Sequence, residues 1–104
     1  MEQARIVLTT VSSRDEAALI ARALVEERLA ACVNIIGDVN SIYRWKDAVE
    51  EASEILLLIK SSTEKLDALE SAVSRLHSYD VPEFIVLPVE GGSHAYLKWL
   101  HESL

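Results

Sequence analysis

Residues 31–61 read Ala31-Cys-Val-Asn-Ile-Ile-Gly-Asp-Val-Asn-Ser-Ile-Tyr-Arg-Trp45, then Lys46-Asp47-Ala48, then Val49-Glu-Glu-Ala-Ser-Glu-Ile-Leu-Leu-Leu-Ile-Lys-Ser61. β-Branched and aromatic residues dominate the first arm (Val33, Ile35, Ile36, Val39, Ile42, Tyr43, Trp45), a composition suited to a pleated, half-buried surface. Gly37-Asp38 interrupts that arm and predicts a bulge or bend. The second arm begins polar and ends in the apolar run Ile55–Ile59. Together they read as the two strands of one long hairpin. Its turn contains no glycine, so Asp47 is expected to take any left-handed position.

The length of these arms matters. Each has about 13 to 15 residues, which at roughly 3.3 Å per residue spans about 43 to 50 Å. A globule of about 100 residues has a radius of gyration near 13 Å and is only about 35 Å across. The far end, from Val39 to Ala52, must therefore curl sharply or project beyond its own core. A projecting two-stranded ribbon is marginal in water and leaves open edges. Yet this one carries Ile42, Tyr43, Trp45 and Val49, which gain little while exposed. Packing against sister chains in a closed cyclic assembly satisfies both demands. A hairpin coiled back on a monomer is the alternative.

Upstream, Arg5 to Val11 reads as a strand with consecutive apolar residues, as expected when both faces are covered. Ser13-Arg-Asp-Glu16 matches a capping box, and Ala17, Ile20, Ala21, Leu24 and Arg28 follow at helical spacing to about Leu29. Downstream, Ser61-Ser-Thr-Glu64 predicts a second capping box. Leu66, Leu69, Val73 and Leu76 then mark a helix ending near His77. Phe84 to Val89 reads as a strand, and Pro88 confines it to an edge because proline donates no ladder bond. Ser93 caps a final helix to about Glu102.

The order β-α-β-β-α-β-α predicts an α+β domain of the ferredoxin-like type, spanning residues 1–104 as a single unit. That topology places the first and third strands centrally, and these carry the continuous apolar runs. Two independent cues agree.

The 104 residues include 17 acidic and 10 basic side chains, for a formal charge of −7. That balance argues against nucleic acid or an anionic membrane as partner, since binding phosphates needs concentrated Lys and Arg. The single cysteine, Cys32, excludes an intrachain disulfide. The start Met1-Glu2-Gln3-Ala4-Arg5 lacks a basic leader followed by a long apolar stretch, and the longest apolar run is too short to span a bilayer. The cytoplasm is the expected compartment.

Three stretches resemble the CutA divalent-cation-tolerance family. They are Leu29-Ala-Ala-Cys-Val-Asn-Ile35; Ser41-Ile-Tyr-Arg-Trp45 with the arm into Leu57-Leu-Ile-Lys60; and Tyr79-Asp-Val-Pro-Glu-Phe-Ile-Val-Leu-Pro-Val89 continuing to Tyr96-Leu-Lys-Trp-Leu100. The resemblance covers nearly the whole chain. It implies an interlocked homotrimer, similar in architecture to the nitrogen-regulatory PII proteins, and a role in tolerance of copper and other divalent cations. It implies neither a catalytic reaction nor a required cofactor, with Cu2+ or another divalent cation as the candidate ligand. Family members often carry a glycine in the hairpin turn where this chain has Lys46-Asp47-Ala48.

The copper site of some family members uses a cysteine ending the first strand and a histidine pair before the Pro-Glu loop. Here these positions read Thr9 and Leu76-His77, so only His77 carries over. Cys32 is a weaker metal candidate, since a lone cysteine between Ala31 and Val33 is commonly a small buried hydrophobe. No C-x₂-C or H-x₃-H spacing occurs, and His94 and His101 lie about 10.5 Å apart along a helix. Glu50, Glu51 and Glu54 read as a solvated hairpin edge that collects hard cations loosely.

Tyr43, Trp45, Lys60, Tyr79, Glu83 and Trp99, with His77, form a second candidate set. By the family's architecture the ribbon of one subunit lies near the Pro-Glu loop of another, so a cleft between subunits could hold a small polar ligand. The plainer reading is an interface seal, with Lys60 paired to Glu83. No nucleophile lies beside a base, and no glycine-rich phosphate loop occurs. Three functions stay open: metal binding, a PII-like module for an anionic metabolite, and a trimeric scaffold.

Overall fold

A computed structural model describes residues 3–104; Met1 and Glu2, the start of the segment read for a leader, lie outside the described residues. The principal elements follow the expected order: β1 (Ala4–Val11), α1 (Arg14–Glu26), β2 (Cys32–Trp45), β3 (Ala48–Ser62), α2 (Leu66–Leu76), β4 (Ile85–Pro88) and α3 (His94–Glu102). The sheet is antiparallel with order β2-β3-β1-β4. β1 and β3 are central and β4, with Pro88, is an edge, as the apolar runs and the proline require.

Alternation along the central strands divides the sheet into two unlike faces. Val7 and Val11 of β1 and Ile55, Leu57 and Ile59 of β3 bury against Ala17, Ile20 and Leu24 of α1 and Leu69, Ala72 and Val73 of α2. On the opposite face, α3 closes only one end, through Ala4, Ala31 and Leu100. The rest of that face has no helix over it among the described residues. Leu8, Leu56 and Leu58 share it and are half-buried, and Ile36, Ile85 and Leu87 beside them are exposed.

Helix entries follow the predicted chemistry where the capping groups are in place. Ser13 Oγ accepts from the Glu16 N–H, and Ser93 Oγ accepts from the Tyr96 N–H. Two boundaries differ from expectation. α1 stops at Glu26 because Arg28 turns left-handed (φ 58°), and the N–H groups of Leu29 and Ala30 fold back onto the Leu24 carbonyl. Ser61 is no helix cap: it lies inside β3, and its Oγ donates to the Leu29 carbonyl at 2.7 Å. A 3-10 turn, Thr63–Lys65, precedes α2 instead.

The hairpin is paired from Cys32↔Lys60 to Trp45↔Ala48, with a register shift between Ile36 and Val39 at the predicted Gly37-Asp38 bulge. Its turn uses two left-handed residues, Lys46 (φ 49°) and Asp47 (φ 65°), where one was expected. This is the two-residue geometry whose twist suits a hairpin. The ribbon sets the long dimension of the molecule, 44 × 25 × 23 Å. Its tip stays in solvent: Ile42 is 65%, Trp45 55% and Val49 67% exposed.

Candidate functional site

The register of the hairpin places Val39, Ser41, Tyr43 and Trp45 on the same face as Glu54, because directly paired residues of an antiparallel ladder share a face. The loop after α2 comes up beside them. Between loop and ribbon lies an open cavity of about 680 Å³, in the range of small-ligand sites. Tyr43, Trp45, Tyr79 and Glu83 of the predicted set line it, joined by Glu54 and Asp80.

Lys60 and Trp99 are not among its lining residues. They belong to a second cluster on α3, where Lys60 Nζ donates to Tyr96 Oη at 3.2 Å and lies 5.4 Å from that ring's centre. The Tyr96 and Trp99 rings are 5.3 Å apart. Lys60 is thus engaged by Tyr96 rather than by Glu83 within the chain.

The loop is held by a short polar chain. His77 ends α2 with its ring fully buried. Its Nδ1 accepts from the Tyr79 N–H at 3.0 Å, which leaves the proton of the neutral ring on Nε2, donating to the Thr10 carbonyl at 2.8 Å. The Tyr79 ring packs against that ring at a tilt of 47°, with centroids 4.7 Å apart, and its Oη donates to Glu54 Oε2 at 2.8 Å. Glu16 on α1 braces the same loop, accepting from the N–H and Oγ of Ser78 and from Ser12.

The electrostatics follow from this packing. Burial, then the Glu54 carboxylate that it hydrogen-bonds, push the Tyr79 phenol well above the usual tyrosine range. Burial and the nearby Glu54 charge push the Glu83 carboxyl up. For Glu16, burial acts upward, but the hydrogen bonds from Ser78 and Ser12 outweigh it and hold the carboxyl below its ordinary value.

Glu54, which reads from sequence as a solvated edge residue, is instead buried, with only 9% of its surface exposed. The signal for burial is its place at the head of the apolar run on a central strand, and polar composition nearby masks it. The Glu16 and Thr10 contacts have no sequence signal, because their partners lie 62 and 67 residues away.

The CutA1 divalent ion tolerance protein model matches residues 5–103. This chain belongs to the CutA1 divalent ion tolerance family. A CutA1 relative in Thermus thermophilus, the divalent-cation tolerance protein CutA, is 51% identical over 98 residues, covering 94% of this chain and 95% of its own length. A solved CutA1 structure from Thermus thermophilus superposes with a TM-score of 0.94 at 50% identity, covering 99% of this chain and 98% of the other. The chloroplastic CutA protein of Arabidopsis thaliana is 45% identical over 94% of this chain, which spans only 54% of that relative. None of these names denotes a reaction. Among the described residues, no helix is long and apolar enough to cross a membrane.

Within this CutA1 chain the metal candidates stand apart. Cys32 is partly buried and pairs in register with Lys60, while His77 sits by the loop with both ring nitrogens engaged. His77 would ligate a metal only by giving up one of those bonds. Thr9 is buried with an unpartnered Oγ1. Among the described residues, no three His, Cys, Asp or Glu side chains converge as a metal site.

Proposed function

We propose that this chain is a non-enzymatic divalent-cation tolerance protein that works as a homotrimer. The observation that supports it is the helix-free sheet face together with the apolar tip of the hairpin. Leu56 and Leu58 lie on that face beside exposed Ile36, Ile85 and Leu87, and Trp45 continues it along the ribbon. Ile42 and Val49 expose further apolar surface on the other face of the tip. Burying apolar surface is worth roughly 25 cal/mol per Å², and a contiguous patch of this kind marks a contact surface. A closed ring of three covers the faces and protects the ribbon edges. Sedimentation velocity at micromolar concentration tests the assembly: a species three times the 11.6 kDa chain is expected, and a folded lone chain refutes it.

Copper tolerance through direct binding calls for a separate test. Calorimetric titration with Cu2+ is expected to give saturable uptake that weakens in His77→Ala. Uptake indifferent to that substitution removes His77 from the reading. The cavity between Tyr43, Trp45 and Tyr79 favours a second reading, in which a small ligand occupies a site shaped by the hairpin and the loop.

A further inference from the structure

The cavity carries a specific electrostatic demand. Glu54 is nine-tenths buried and faces it, yet no Lys, Arg or His among the described residues pairs with it. Its hydrogen bond from a side chain is the Tyr79 phenol on Oε2, which leaves Oε1 without a side-chain donor among the described residues. Burying a carboxylate without a counter-charge is expensive, and neutral hydrogen bonds offset only part of it.

Glu83 and Asp80 add two more carboxyl groups to the same lining, and no basic side chain is among the lining residues. Apart from the hydroxyl residues Thr10 and Ser41, the remaining walls are aromatic and aliphatic: Tyr43, Trp45, Ile42 and Val81. Hard metal ions need several oxygen ligands converging on one point, and among the described residues these carboxyl groups do not converge in that way. An anionic metabolite would meet like charge. Aromatic faces beside carboxylates suit a bulky, weakly hydrated cation.

We propose that this cavity binds an organic ammonium cation, with Glu54 and Glu83 as counter-charges and Tyr43, Trp45 and Tyr79 as walls. This rests on reading the cavity as a ligand site and adds the charge and class of the ligand. A lysine side chain of a second copy would present the same chemistry, and the assay separates the two sources.

The test is calorimetry with n-butylammonium and tetramethylammonium chlorides at constant ionic strength, with sodium and inorganic phosphate as controls. Fluorescence in a Trp99→Phe background, which leaves Trp45 as the single tryptophan, provides a second readout. Saturable uptake of an ammonium probe, weakened at least tenfold in Glu54→Gln and reduced in Glu83→Gln, is expected. Glu54→Gln keeps an acceptor for Tyr79, and near-UV circular dichroism checks its packing.

Uptake equal to that of sodium, or unchanged in both variants, overturns the proposal. Binding of phosphate alone overturns the cation assignment while leaving a ligand site in place. No uptake of any probe removes both. No uptake combined with weaker self-association of Glu54→Gln in sedimentation assigns the cation to a sister chain, and also overturns the free-ligand proposal.

Discussion

Tyr79 Oη donates a 2.8 Å hydrogen bond to Glu54 Oε2, tying the loop after α2 to the middle of β3 across 25 residues of chain. The bond makes one wall of the cavity from two elements that neither propensity nor periodicity would pair. It also joins the Tyr79 ring, packed at a tilt against His77, to the hairpin that carries Tyr43 and Trp45.

Removing that hydroxyl tests the link. Tyr79→Phe leaves Glu54 Oε2 short of a donor and is expected to cost about 1–3 kcal/mol in urea unfolding. The phenol's pKa is raised in the folded state, so its contribution is complete below the ordinary tyrosine value of 10.0 and declines as pH rises beyond it. Ultraviolet titration of wild type minus Tyr79→Phe should show a tyrosine that resists ionisation above that value. Ordinary ionisation of Tyr79 would contradict the packing.

Glu16 supplies the acid-side counterpart. Its carboxyl is lowered in the folded state, so its contribution is present above the ordinary value of 4.5 and is lost as pH falls through the lower folded value. Glu16→Ala is expected to cost about 1–3 kcal/mol at neutral pH, because the Ser78 and Ser12 donors lose their acceptor. Thermal melts between pH 3 and 7 should show a smaller loss towards acid in the variant than in wild type. Parallel pH profiles would remove Glu16 from that role.

The hairpin turn stores avoidable strain. Lys46 and Asp47 both adopt positive φ, a region that Asn and Gly enter more easily. Replacing them together, Lys46→Asn with Asp47→Gly, is expected to stabilise the chain by about 1 kcal/mol, read as a higher urea midpoint. A lower midpoint would mean that the side chains at the tip contribute more than the backbone gains.

The exposed ribbon separates assembly from folding. Ile42 and Val49 are 65% and 67% exposed in the isolated chain, so Ile42→Lys with Val49→Lys should leave its own core intact. Self-association should fall by at least tenfold in sedimentation, with far-UV circular dichroism unchanged. Unaltered association would place the subunit contact elsewhere.

Much of this architecture is legible from residue order. The apolar runs of β1 and β3 mark central strands, Pro88 marks an edge, Ser13 and Ser93 mark helix starts, and Gly37-Asp38 marks the break in register. Each is a local rule: a missing N–H, a capping hydroxyl, or an alternation of faces acts within a few residues. The exit of α1 is hidden because Arg28 fits the helical repeat, yet its backbone turns left-handed to let Leu29 and Ala30 bond back to Leu24. Ser61 misleads because its hydroxyl is taken by a carbonyl 32 residues away.

Residue order alone dictates the strand order, the helix-covered core and a ribbon too long for its globule. Long-range packing is what buries Glu54, turns Lys60 to Tyr96, and commits both ring nitrogens of His77 to the fold. The reason is range. Periodicity and capping depend on neighbours along the chain, whereas the environment of a charge depends on which distant groups the packing brings within hydrogen-bonding distance.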